Sequence, residues 1–166
     1  MGKMKVRTIT LNGIVAALYI AITAIIQPIA FSNIQFRIPE IFNHLIVINK
    51  KYFFGIVIGV FLSNLFFSSL LPYDLIFGVG HSILSLLTTI FICRYIHNIW
   101  MRMLANSMVF SVMMFIIAFE LKLAIGLPFW ETWLFTAIGE FGVMVLGMPV
   151  MYSIHKRLMK EKYSLD

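Results

Sequence analysis

The sequence predicts an all-α membrane protein of six transmembrane helices, with both termini in the cytoplasm. Three observations predict it. Hydrophobic residues make up 61% of the 166 positions and charged residues 12%, whereas a soluble domain is nearer half apolar and a quarter charged. The apolar residues gather into runs close to the ~20 residues needed to cross a bilayer. Basic and acidic residues then divide between alternate connections. The length fits one domain, 1–166, with no room for a separate catalytic unit.

The first span is expected at 8–26, ending before Gln27-Pro28. Lys3, Lys5 and Arg7 before an apolar run also fit a signal peptide, but the run is long for one and no small-x-small cleavage site follows. The second, 39–49, starts at Pro39, which suits a first helical turn. It is short for a span, so it must tilt, extend or sit in thinned bilayer. Lys50-Lys51 marks a tight turn before the third span, 52–70. Leu71-Pro72-Tyr73 separates that span from the fourth, 74–93. The fifth is expected at 103–121 and the sixth at 130–154, followed by a polar tail.

With the amino terminus inside, the inner connections hold Lys3, Lys5, Arg7, Lys50, Lys51, Arg94, Arg102, Lys156, Arg157, Lys160 and Lys162, eleven of the thirteen basic residues. Arg37 and Lys122 alone fall on the outer half, together with Glu40, Asp74, Glu120, Glu131 and Glu140. This is the positive-inside pattern, and it accounts for the net charge of +6 without a nucleic-acid partner. Trp100, Trp130 and Tyr152 suit interface anchors.

Charges within apolar helices cost roughly 2.5–3.5 kcal/mol each on insertion scales, so they persist where they pair or meet water or a ligand. Glu140 lies about nine residues into its span, roughly 13 Å of helix rise, too deep to reach the interface. Gly139 and Gly142 flank it and allow close approach. It binds substrate or meets an internal partner such as Arg37. Arg37 and Glu40, three residues apart, form an ion pair at a helix start or reach into an outer cavity. Asp74 is expected as a helix cap, with direct ligand contact as the alternative. Gly78 and His81 share its face, making His81 either a cavity residue or a satisfied structural group. Asn64, mid-span, is expected to bind helix to helix, and is counted with the candidate substrate-binding residues. Trp130 and Trp133 anchor the interface or stack on a flat ligand.

Scattered histidines and the single cysteine, Cys93, provide no metal site and no disulfide. No phosphate loop and no Ser/His/Asp set is present, so the chain is expected to be no enzyme and to need no cofactor. Gly13, Ala17 and Ala21 form a small-residue stripe, available to internal packing or to a partner helix.

Several segments in order, Ala17-Leu-Tyr-Ile-Ala21, Ile34-Gln-Phe-Arg-Ile-Pro-Glu40, Phe61-Leu-Ser-Asn-Leu65, Asp74-Leu-Ile-Phe-Gly78 and Ile138-Gly-Glu140, resemble the QueT family, the queuosine-precursor S components of energy-coupling factor (ECF) transporters. The resemblance covers nearly the whole chain. It implies a six-helix S-component fold in the cell membrane, an outward-facing ligand cavity, and docking on a transmembrane T protein with two ATPase subunits. The implied partner surface is Gly13, Ala17 and Ala21, and the implied mechanism is toppling of the loaded subunit in the membrane. The implied ligand is a 7-deazaguanine such as 7-aminomethyl-7-deazaguanine or queuine. Glu140 would accept from its guanine-like edge; Glu40, Glu120 or Glu131 would hold a cationic aminomethyl group; Arg37 would donate to the carbonyl oxygen; Trp130 or Phe77 would stack on the ring. An S component for another flat heteroaromatic vitamin would share this fold. A membrane-embedded enzyme or assembly protein is the further alternative, though the first would need an acid/base or metal set that the sequence does not provide and the second gives no reason for so deep a Glu140.

Overall fold

The computed structural model describes residues 2–30 and 37–163, with side chains over 6–26 and 37–157. The described backbone is helical apart from its connections. The apolar run near the amino terminus forms α1, Gly2–Ala30. It continues about one turn past the expected stop, through Gln27-Pro28. Its membrane-length apolar part, Val6–Ile26, agrees with the expected first span.

The second segment differs most from expectation. It is a 3-10 helix, Ile38–His44, running into a single α-turn, α2, Leu45–Ile48. At ~2.0 and ~1.5 Å per residue it falls well short of the ~30 Å of hydrocarbon. Most of it is enclosed by the other helices: Pro39, Glu40, Phe42, Asn43, His44, Leu45, Ile46 and Val47 are all buried, and Ile38 alone is exposed. The tighter 3-10 winding brings residues i and i+3 into line, so Asn43 lies over Glu40 and donates to it. Among the described residues five helical segments are thus long and apolar enough to cross a membrane, with a sixth, shorter one packed among them.

Asn49 ends α2 and starts the next turn, its Oδ1 accepting the Lys51 N–H at 3.0 Å. Helix α3 follows at Phe53–Phe67 and α4 at Tyr73–Ile92. The fifth span, Ile99–Ile125, is two helices, α5 (Ile99–Met113) and α6 (Phe115–Ile125). The break at Met114 follows two serines whose hydroxyls donate back to carbonyls four residues earlier: Ser107 to Met103 at 3.1 Å and Ser111 to Ser107 at 2.7 Å. Such back-bonding bends helices. Asn98 caps α5 by accepting from Trp100 and Met101. Gly126 ends α6 with φ 73°, the left-handed conformation glycine tolerates. Helix α7, Phe129–Tyr163, absorbs much of the expected polar tail.

The closest seam joins α1 to α3. Buried Val15, Ala16, Tyr19 and Thr23 form one stripe of α1. Gly55 and Gly59 of α3, four residues apart, let the two backbones meet. A Cβ on Gly55 would stand 2.7 Å from the Asn12 carbonyl oxygen, and one on Gly59 2.8 Å from the Tyr19 Cβ. Asn12 completes the seam, accepting from the Gly55 N–H at 2.5 Å and donating to the Lys51 carbonyl at 2.9 Å. Gly13, Ala17 and Ala21 lie on the other, exposed face of α1, and a Cβ on Gly13 would meet nothing within 4 Å.

Candidate substrate site

The residues from Arg37 to His44 carry polar side chains into an apolar bundle, and the surrounding helices answer them. Arg37 is 6% exposed and Glu40 fully buried. Glu40 is the better served. Tyr19 donates its hydroxyl to Oε1 at 3.0 Å, Asn43 donates to Oε2, and the Arg37 guanidinium is 3.8 Å from Oε1. Arg37 also reaches across to α4, with Nη2 3.4 Å from the Asp74 Oδ1.

Asp74 is therefore no helix cap. Pro72 holds the cap position of α4, and Asp74 lies in the first turn with its carboxylate turned inward, 1% exposed. Ser68 donates to its Oδ2, and the Asn64 amide donates to its main-chain carbonyl at 2.9 Å. Asn64 thereby ties α3 to the start of α4. Gly78 makes room for this arrangement: a Cβ there would sit 2.6 Å from the Asn64 Nδ2 and 3.6 Å from the Arg37 Nη2.

Two further carboxylates complete the cluster. Glu120 of α6 is fully buried beside Asp74 and Arg37. Glu140 of α7 is 1% exposed, beside Glu40 and Arg37. Neither oxygen of Glu140 has a hydrogen-bond donor among the described residues, and those of Glu120 meet only the neighbouring Asp74 carboxyl. The cluster thus gathers four buried carboxylates around one guanidinium. Two of the four are left without donors in a setting where an unpaired charge is costly. A Cβ on Gly142, two residues beyond Glu140, would meet open space.

His81 sits deeper on α4, 1% exposed. Its Nε2 lies 3.2 Å from the Phe110 carbonyl oxygen. A carbonyl only accepts, so Nε2 carries the proton and Nδ1 is a free acceptor. Beneath the carboxylates runs a second polar set that is fully paired. His44 Nε2 donates to the Met144 carbonyl at 2.9 Å, Asn106 Nδ2 lies 3.2 Å from His44 Nδ1, and Thr89 donates to Asn106 Oδ1 at 2.8 Å.

This acidic cluster lies inside a bundle of membrane-length helices, and comparison with known proteins places the whole chain. Residues 9–156 match the family described as QueT transporter. The chain belongs to the QueT transporter family. A curated relative, the queuosine precursor transporter QueT of Lactococcus lactis subsp. cremoris (strain MG1363), is 34% identical over 168 residues, covering 95% of this chain and 98% of the relative. No solved structure matches. As a QueT-family protein the chain is a multi-pass membrane transporter and not an enzyme.

Within this cluster the structure gathers Arg37, Glu40, Asn64, Asp74, Glu120 and Glu140, with His81 beyond them on α4. It does not gather all the residues singled out in sequence. Trp130 is 72% exposed and Glu131 is also exposed, both at the start of α7. Trp133 donates its indole N–H to the Val112 carbonyl at 3.1 Å, fastening α7 to α5. Phe77 is half-buried with its ring edge-on to Phe119 at 6.0 Å. Tyr19, Asn43 and Ser68 serve the cluster but escaped sequence reading. A tyrosine within Ala17-Leu-Tyr-Ile-Ala21 looks apolar, and only the Glu40-x-x-Asn43-His44 spacing hinted at an inward polar face.

Proposed function

We propose that this chain is the substrate-binding S component of an ECF importer for a queuosine precursor, and that its ligand is a cationic 7-deazaguanine such as 7-aminomethyl-7-deazaguanine. The observation that carries this reading is the pair of buried carboxylates, Glu120 and Glu140, without donors of their own. Guanine-like bases present N1–H and an exocyclic amine side by side. A carboxylate accepts both, and such charge-assisted bonds are among the stronger ones. Glu140 takes that edge in this reading. Glu120, next to Asp74, receives the aminomethyl cation, and Arg37, held by Glu40 and Asp74, donates to the carbonyl oxygen. The excess of carboxylates over guanidinium favours a cation over a neutral base. Trp130, exposed as it is, serves better as an interface anchor than as a stacking platform, which leaves Phe77 as the nearer aromatic candidate.

The positive-inside distribution supports an orientation with both termini in the cytoplasm and the acidic cluster toward the outside of the cell membrane. The exposed stripe Gly13, Ala17 and Ala21 supports docking of α1 on a T protein that carries two ATPase subunits, with toppling of the loaded chain as the transport step. The α1–α3 seam uses other residues, which leaves this stripe for an external helix.

Calorimetric titration of the purified chain tests the ligand. We expect saturable binding of 7-aminomethyl-7-deazaguanine, and at least about tenfold weaker binding of the neutral 7-cyano base, roughly what one lost ion–ion contact costs. No heat with either base, against binding of another flat heteroaromatic, would reassign the substrate. Affinity purification tests the partners: Ala17→Trp should lose the T protein and ATPases and keep ligand affinity. Retention of those partners would remove α1 from the interface.

A further inference from the structure

At the end of the bundle opposite the carboxylates lies a hollow of ≈ 370 Å³, lined by the end of α2, the Lys50 turn, the end of α4 and the start of α5. We propose that it binds the phosphate of an anionic phospholipid from the leaflet that meets this end, whichever solute the other end carries. Its rim has three cations from three separate elements, Lys50, Arg94 and Arg102, and its walls are aliphatic, with Val47, Ile48 and Ile90.

None of the three cations is ion-paired to a described residue. Both ion pairs among the described residues are made by Arg37 at the far end. No acidic residue lines the hollow. Lys50 and Arg94 are exposed, and their side chains make no hydrogen bond to a described residue. Arg102 is half-buried and donates its Nε to the Ile96 carbonyl at 2.6 Å. That bond steadies the guanidinium while both Nη groups stay free to serve a phosphate. Guanidinium groups suit phosphate because their donors form a planar fork.

The depth in the membrane favours a lipid over a soluble anion. Trp100, two residues before Arg102, is 40% exposed and packs on Tyr152 with ring centroids 4.6 Å apart. Lys156 sits over the Tyr152 ring at 5.3 Å. Trp, Tyr and Lys together mark the headgroup level. A basic pocket between helices at that level attracts anionic headgroups, and its aliphatic wall suits the glycerol and the first acyl carbons.

The test is thermal unfolding of the full chain in neutral detergent, titrated separately with short-chain phosphatidylglycerol, short-chain phosphatidylcholine and inorganic phosphate. Phosphatidylglycerol is expected to raise the melting temperature saturably, with phosphatidylcholine weaker by at least about tenfold. In Lys50→Gln/Arg94→Gln, two exposed positions, the lipid-free melting temperature should be unchanged and the phosphatidylglycerol response weakened at least about tenfold. Equal responses to the two lipids, or a double variant that responds like the parent, would overturn the site. Inorganic phosphate matching phosphatidylglycerol would overturn the lipid and leave a site for a soluble phosphate.

Discussion

Two buried polar clusters sit one above the other in this bundle, and they are built in opposite ways. Glu40 and His44 are four residues apart, as are Glu140 and Met144, so the same two elements serve both. In the lower cluster every member is answered: Thr89 donates to Asn106, Asn106 to His44, and His44 to the Met144 carbonyl. In the upper one, Glu40 and Asp74 are answered but Glu120 and Glu140 are not. A closed set of hydrogen bonds holds helices together. An incomplete set of charges costs stability and is retained where something else completes it.

That contrast can be broken by substitution. The largest expected effect is on binding. Glu140→Gln should weaken 7-aminomethyl-7-deazaguanine by about 100-fold in calorimetry, because an amide oxygen cannot serve two donors as a carboxylate does. A change under about threefold would take Glu140 out of the site. Next comes Gly55→Leu, where a side chain would enter the Asn12 backbone. A loss of ~1–3 kcal/mol in unfolding stability is expected, and its absence would mean the α1–α3 seam is looser than it looks. Asn106→Leu should cost ~1–2 kcal/mol by leaving Thr89 and His44 unanswered, with ligand affinity kept within about threefold. Loss of binding in that variant would merge the two clusters into one site. The smallest effect belongs to Gly13→Leu, on the open face of α1, where stability should stay within ~0.5 kcal/mol; a larger loss would place that stripe in the fold's own packing.

How much was legible in sequence follows the same division. The spans were readable because lipid demands long apolar runs, and Val6–Ile26 and Tyr73–Ile92 fall close to where the runs place them. The depth of Glu140 was readable from residue counting. The 3-10 form of Ile38–His44 was not, because its polar residues satisfy partners on α1, α5 and α7 that are distant in sequence. The break at Met114 depends on serine back-bonding, which hydropathy does not register. The two small-residue stripes were separable only in three dimensions: Gly55 and Gly59 carry the internal seam, while Gly13, Ala17 and Ala21, more conspicuous in sequence, face outward. Asp74 has the composition of a cap, and only the position of Arg37 turns it inward.

The most direct measurement is the melting temperature of the parent and of Glu140→Gln, each with and without 7-aminomethyl-7-deazaguanine. If Glu140 is held unpaired for a ligand, the ligand-free variant should be at least as stable as the parent, and the ligand should stabilise the parent alone. A ligand-free Glu140→Gln that unfolds well below the parent would make Glu140 part of the scaffold and contradict the account.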